Sequence, residues 1–365
     1  MKHEGQAVDW ARVRRVLVIK LRHHGDVLLT TPVLRAIKQQ YPQIEVDALV
    51  YDETRDMLAD NPHLTQLHTI KKSRVLGGGW AKLKYEIGLW RTLKARRYDV
   101  LINLTEHNRG ALLARTLAPH WSISQDGPFR RSYKRSFTHL FRPQFGNNRH
   151  AVERNLDGLR VLGLYPAEAD KGLTLVPGAA AEQKVHTLLA THHLQPRQFI
   201  IVHPGSRWAY KAWPAQQVAG LIDRLQQDGH HIVLTGSPDA AERALADDVL
   251  QQVHQRDRVV DLVGQLSLRE LGACIAASRL LFGVDSVPMH MAAALQTPSV
   301  ALFGPSGHIE WAPWRAPHKL VYQDMSCRPC GMKGCGDSGY SECLATLPVD
   351  MAYSAVITLL RQEHP

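Results

Sequence analysis

Residues 14–27 read Arg-Arg-Val-Leu-Val-Ile-Lys-Leu-Arg-His-His-Gly-Asp-Val. The continuous apolar run Val16-Leu17-Val18-Ile19 lies between two arginines and a His/Gly-rich turn, the pattern of a buried parallel strand that feeds a βα loop. Apolar or alternating runs recur at 44–50, 66–70 and 100–104, separated by helical patterns at 80–97 and 109–117. Strands alternating with helices predict an α/β, doubly wound parallel sheet. The alternation restarts at 199–203. Helices are expected at 214–227, 240–253, 268–277 and 288–295, and strands at 231–235, 259–262, 280–283 and 299–303. Between the halves, after a helix near 152–162, stands Leu-Thr-Leu-Val-Pro-Gly-Ala-Ala-Ala-Glu-Gln (173–183), which reads as an extended linker. The expected organisation is therefore two Rossmann-like domains, 1–175 and 176–347. A final helix follows within 348–365, with freedom to cross back to the first domain. No short-period repeat or low-complexity tract is present.

Bulk properties agree with two domains. The chain has 365 residues, 44% of them hydrophobic and 21% charged, which suits two ordinary globular cores. No apolar segment reaches the length needed to cross a bilayer. The polar N-terminus, Met-Lys-His-Glu-Gly-Gln, lacks the apolar core of a secretory signal, so a cytoplasmic address is expected. A formal charge of +10 favours an anionic partner: nucleic acid, a phospholipid surface or a phosphorylated glycolipid.

Chemistry-bearing residues gather where strands end. Asp26 follows the first strand beside a glycine turn, at the carboxyl edge where open α/β sheets bind ligands, yet an aspartate there is equally a helix cap. Pro32 either opens the next helix or lies inside a kinked one. At the corresponding edge of the second half, His203-Pro204-Gly205-Ser206-Arg207-Trp208-Ala209-Tyr210-Lys211-Ala212-Trp213-Pro214 brings glycine, hydroxyl and lysine to a phosphate-binding location. The spacing matches neither a Walker loop nor GxGxxG, and an ordinary loop with a solvated lysine reads equally well. Glu242, in Gly236-Ser237-Pro238-Asp239-Ala240-Ala241-Glu242, either complements a helix dipole or reaches a ribose diol. Gly283-Val284-Asp285-Ser286-Val287-Pro288-Met289-His290 and Gly304-Pro305-Ser306 end two further strands. Asp285, Ser286, His290 and Ser306 can thus converge on one cleft with Lys211.

Two segments stand apart. Arg130, Arg131, Lys134, Arg135, Arg142 and Arg149 form a basic stretch with no carboxylate between Gly127 and Val152. Phe129, Tyr133, Phe137 and Phe141 recur every four residues within it, predicting an amphipathic helix whose aromatic stripe is either core or membrane-facing. Cys327, Cys330, Cys335 and Cys343 crowd the tail, and are read as reduced thiols or as an irregular structural metal site.

Taken together, these motifs resemble those of the ADP-heptose:lipopolysaccharide heptosyltransferases, a GT-B family, from Arg15 to about Leu360. The opening Val-Leu-Val-Ile-Lys-Leu-Arg-His-His-Gly-Asp-Val looks like the family's first strand and loop. His-Ala-Val-Glu-Arg-Asn (150–155) and the His203–Pro214 loop are also similar to family segments. The resemblance implies two Rossmann-like domains facing a cleft, acceptor on the N-terminal side and donor on the C-terminal side. It implies Asp26 as the general base, Gly205, Ser206 and Lys211 on the diphosphate, Glu242 on the ribose, and Asp285, Ser286, His290 and Gly304 around the sugar-diphosphate. Val287-Pro288 departs from the family's glycine-containing pair. The cysteine-rich tail resembles that of later-acting members. The implied reaction is inverting transfer of L-glycero-D-manno-heptose from ADP-heptose to a heptose of the lipopolysaccharide inner core precursor (Kdo-heptose-lipid A). The resemblance further implies no cofactor, no catalytic metal, no nucleic acid, and peripheral contact with the cytoplasmic face of the inner membrane. A sugar-nucleotide epimerase of the same architecture and a basic nucleic-acid-binding protein are the rival classes, the second lacking any matching motif.

Overall fold

The computed structural model describes residues 7–71, 78–144 and 146–362; the first six residues of the polar N-terminus lie outside them. Among the described residues, 7–144 with 151–174 form one compact unit and 146–150 with 175–362 a second. The pentapeptide 146–150 departs from a single boundary between the halves. It joins the second unit because Asn147 Oδ1 accepts the N–H groups of Ile309 (2.6 Å) and Glu310 (3.1 Å), and His150 stacks on Trp314 with ring centroids 4.3 Å apart.

In the first unit the strands are β1 (Arg15–Lys20), β2 (Glu45–Tyr51), β3 (Gln66–Ile70), β4 (Val100–Asn103), β5 (Trp121–Gln125) and β6 (His139–Phe141). The helices are α1 (His24–Leu28), α2 (Thr31–Gln40), α3 (Gly79–Ala95), α4 (Asn108–Leu117), α5 (Arg131–Lys134) and α6 (Ala151–Val161). All strands run parallel in the order β3-β2-β1-β4-β5-β6, with Val16 opposite Val46 and Val18 opposite Ile102. Val16 to Ile19 are almost fully buried, as a strand covered by helices on both faces must be.

The second unit repeats the plan with β7 (Phe199–His203), β8 (His231–Leu234), β9 (Val259–Asp261), β10 (Leu280–Val284), β11 (Ser299–Leu302) and β12 (His318–Val321). Its helices are α7 (Ala179–Thr191), α8 (Ala215–Gln227), α9 (Ala240–Gln252), α10 (Leu268–Ala277), α11 (Val287–Ala294), α12 (Glu342–Ala345) and α13 (Val349–Leu360). The sheet order is β12-β11-β10-β7-β8-β9. In each sheet the first strand lies beside the fourth, so the winding reverses between β1 and β4 and between β7 and β10. Those two junctions are the topological switch points, where crevices open at the strands' carboxyl ends.

Several elements differ from the expectations above. Only 173–178 of the linker is extended; Ala179 starts α7, because alanine is the best helix former and Glu182 complements the first turn. Gly178 makes the entry at φ +87°, a left-handed conformation that suits glycine. Pro32 occupies the first turn of α2, which is capped at Thr30. The aromatic spacing of 129–141 does not form a helix. Helix α5 is one turn long, Phe141 lies in edge strand β6, and Tyr133, Phe137 and Phe141 are buried, so the membrane-facing alternative for this stripe is overturned. The final helix α13 does not leave the second unit. Ala352, Val356 and Leu359 are buried in the core with Val218 and Leu221 of α8. Burial of Val356 and Leu359 contributes about 1.5–3 kcal/mol each.

Candidate functional site

Two sets of side chains stand at the switch points, one in each unit. In the first, β1 delivers the chain into α1, whose N-cap is His23; Asp26 is the third helical residue, so the reading of Asp26 as the cap is overturned. Its carboxylate is partly exposed, and among the described residues it has no hydrogen-bond or ion-pair partner. A carboxylate left unpaired at a sheet's ligand-binding edge is available to accept a proton from something outside the chain.

The loops after β1 and β4 are tied together around it. Leu21 N–H donates to Thr105 Oγ1 (2.7 Å), and Arg22 and Glu106 form an ion pair at 3.6 Å. Lys20, the last residue of β1, is buried; its ammonium donates to Leu104 O (3.1 Å) and Asn155 Oδ1 (3.3 Å). Burial pulls this ammonium down to about 8, against the opposing pull of the Asp26 charge. Asn155 Nδ2 also donates to Leu29 O (2.9 Å), which braces the end of α1. Nothing in the local sequence of Lys20 or Asn155 pairs these positions, which are separated by 135 residues.

In the second unit, Lys211 ends a 3₁₀ turn after β7 and Asp285 follows β10. The two meet across the switch point, with Lys211 Nζ donating to Asp285 Oδ2 at 2.5 Å. Asp285 is buried and Lys211 about one-fifth exposed. An ammonium carries three donors, so one bound to Asp285 leaves two for phosphate oxygens. Ser286 caps α11 in extended backbone; in that helix's first turn Pro288 has no N–H and the Met289 N–H donates to Ser286 O at 3.2 Å, which leaves the Val287 N–H without an intrahelical acceptor. Ser206 lies in the β7 loop, where its Oγ accepts the Trp208 N–H at 3.4 Å.

Glu242 sits in the first turn of α9, capped by Asp239, and its Oε2 accepts the Ser237 N–H at 2.9 Å. Gly205 comes so close that a Cβ there would lie 3.0 Å from Glu242 Cγ and Oε2. The absence of a side chain at 205 therefore lets the carboxylate settle between the β7 and β8 loops. His203 Nε2 lies 3.8 Å from Glu242 Oε2; burial lowers its pKa, opposed in part by the Glu242 charge.

The remaining sequence-derived candidates have other surroundings. His290 is buried in α11 with its ring edge-on to Trp311, at 6.5 Å between centroids. Gly304 is a close-packing position, since a Cβ there would meet Leu344 Cδ1 at 2.6 Å, and its carbonyl accepts Arg328 Nε–H at 2.7 Å. Cys327, Cys330 and Cys335 are exposed free thiols and Cys343 is a buried one. Burial pushes the Cys343 thiol up, with Arg328 opposing. Among the described residues no group of three or more histidine, cysteine or acidic side chains is placed to hold a metal ion.

The resemblance implies Glu242 on the ribose of ADP, and on that expectation Glu242→Ala should weaken ADP binding about 10- to 100-fold by calorimetry. Unchanged ADP affinity would show that the carboxylate serves only the Ser237 turn.

The sequence pattern that defines glycosyltransferase family 9 (heptosyltransferase) matches residues 87–340. Lipopolysaccharide heptosyltransferase 3 of Escherichia coli K12 is 36% identical over 298 residues, 80% of this chain and 83% of that one. Among solved structures, a glycosyl transferase family 9 protein from Veillonella parvula superposes with a TM-score of 0.80 at 23% identity, covering 95% of this chain and 97% of its own. The E. coli ADP-heptose lps heptosyltransferase II superposes with a TM-score of 0.72 at 20% identity, covering 95% and 98%.

Proposed function

Since the chain belongs to glycosyltransferase family 9, the heptosyltransferases, we propose that it transfers L-glycero-D-manno-heptose from ADP-heptose to a heptose of the lipopolysaccharide inner core, with inversion at the anomeric carbon. The 36% identity to lipopolysaccharide heptosyltransferase 3 across four-fifths of each chain carries this reading and favours heptosyltransferase 3-type over heptosyltransferase 2-type activity. The epimerase reading is not favoured, because the matched family is a transferase family.

In this reading the first unit binds the acceptor and the second the donor. Asp26 takes the proton from the acceptor hydroxyl as that oxygen attacks. Lys211, with Gly205, Ser206 and the Val287 N–H at the start of α11, carries the negative charge that grows on the departing ADP. Asp285 orients the Lys211 ammonium through their hydrogen bond. Ser286, His290 and Gly304 complete the donor side, and Glu242 takes the ribose. Charge on the leaving diphosphate is met by these groups, so the reaction is proposed to need neither a cofactor nor a catalytic metal, and nucleic acid is not a partner.

Kdo carboxylates and phosphates make the acceptor, Kdo-heptose-lipid A, strongly anionic. Arg130, Arg131 and Arg135 suit it, being exposed and without an ion-pair partner among the described residues, whereas Lys134 and Arg142 are engaged with Asp126 at 2.6 and 2.9 Å. Arg130, Phe129, Tyr133 and Arg115 also line a pocket of about 600 Å³. Replacing Arg130, Arg131 and Arg135 with alanine should raise the acceptor KM about tenfold or more while ADP affinity stays level; an unchanged KM removes this segment from acceptor binding. Among the described residues no helix is long and apolar enough to cross a membrane, and the protein is proposed to act from the cytoplasm at the inner membrane's surface, where the acceptor's lipid resides.

The test is ADP release from ADP-heptose with and without a defined truncated core acceptor, with mass analysis of the product. Acceptor-dependent release and an acceptor heavier by one heptose are expected. A nucleotide-sugar isomer formed without acceptor would instead establish an epimerase.

A further inference from the structure

The apolar side chains that the structure leaves in solvent concentrate on α3. Trp80 is 86% exposed, Leu83 50%, Ile87 41% and Trp90 39%. Their spacings of three, four and three residues put them on one side of the helix. The sides adjoining and facing away from it are already engaged. Leu93 is buried, and Tyr85 OH accepts the Lys71 N–H (3.0 Å) and donates to Thr69 O (3.1 Å). Glu86, the helix's one carboxylate, is ion-paired with Arg109. The outward stripe is therefore surplus to the fold.

Beside the stripe stand Lys84 and Arg91, both exposed and without an ion-pair partner among the described residues. We propose that α3 lies in the plane of an anionic phospholipid surface, with Trp80, Leu83, Ile87 and Trp90 sunk among the headgroups and Lys84 and Arg91 on lipid phosphates. Charge complementarity selects this occupant. Protein-protein interfaces deplete lysine around their apolar centres, whereas a phospholipid surface offers a phosphate to each cation whatever its register. Tryptophan, with an apolar body and a polar N–H, is the side chain best suited to the boundary between acyl chains and headgroups. At 17 residues α3 is about 26 Å long, and with Lys84 and Arg91 beside its apolar stripe it is built to lie on a bilayer and not to cross it. The inference goes beyond heptose transfer and rests on that reading only in explaining why a surface location is useful.

The experiment is co-sedimentation of the full-length protein with phosphatidylethanolamine–phosphatidylglycerol vesicles and with neutral phosphatidylcholine vesicles. Wild type should bind the anionic vesicles and release as salt rises. The apolar variant W80S/L83S/I87S/W90S should lose about tenfold or more in partitioning, and the charge variant K84E/R91E about thirtyfold. Both variants should retain wild-type transfer to a water-soluble, deacylated acceptor, which establishes that they are folded. Undiminished vesicle binding by either variant overturns the proposal. So does light scattering showing that the stripe is covered by a second copy, with a wild-type dimer and a monomeric apolar variant. If wild type binds vesicles but transfers no heptose to the soluble acceptor, the proposed activity fails and the docking surface stands.

Discussion

Asp26→Asn is expected to lower kcat for heptose transfer about 10²- to 10⁴-fold, the range that a positioned general base supplies. Asparagine keeps the size and shape of the side chain and removes only its capacity to take a proton. The fold has little to lose, since the Asp26 carboxylate has no hydrogen-bond or ion-pair partner among the described residues. What disappears is one negative charge in the first turn of α1, which interacts with the helix dipole by about 0.3–1 kcal/mol. The lost charge also removes the counter-pull on the buried Lys20 ammonium. ADP binding should stay at the wild-type level, because the proposed donor loops belong to the second unit. A variant that releases ADP at the wild-type rate with a saturating acceptor removes Asp26 as the base.

Lys211→Ala is expected to reduce kcat/KM about 10²- to 10³-fold, the loss seen when one preorganised group is taken from a developing charge. Unlike the Asp26 variant, it should also weaken ADP, because in the proposed reading the ammonium meets the diphosphate before reaction as well as during it. The substitution has a second effect that must be separated from the first: it leaves Asp285, buried and formerly bonded at 2.5 Å, without its cation. A double-mutant cycle with Asp285→Asn resolves the two. If Lys211 serves the leaving group, the double variant stays as slow as Lys211→Ala. If it merely neutralises Asp285, removing that charge restores most of the rate, and the assignment of Lys211 to the diphosphate fails.

What sequence could and could not convey follows from the range of each interaction. Val16 to Ile19, the Phe199–His203 run and their helices were legible because burial on both faces demands local apolar runs, and those demands are met within a few residues. Asp26, Lys211, Glu242 and Asp285 were legible as strand-end residues for the same reason. That Lys211 and Asp285 bond to each other was not, because they lie 74 residues apart and meet only when β7 is laid beside β10.

Periodicity misled where it spoke of spacing without saying what covers a face. Phe129, Tyr133, Phe137 and Phe141 recur every fourth residue, yet only one helical turn forms and three of the four rings are buried. Trp80, Leu83, Ile87 and Trp90 have equally regular spacing and remain in solvent.

The sequence alone therefore determined the two doubly wound halves and the ends of strands at which chemistry collects, since those depend on contacts between near neighbours. The strand order, and with it the switch points, was decided only by the tertiary structure. So were the Asn155 brace on Lys20 and the reassignment of the outward apolar face from 129–141 to α3. Each of these depends on which distant segments exclude water from which surface, and no local run of residues encodes that.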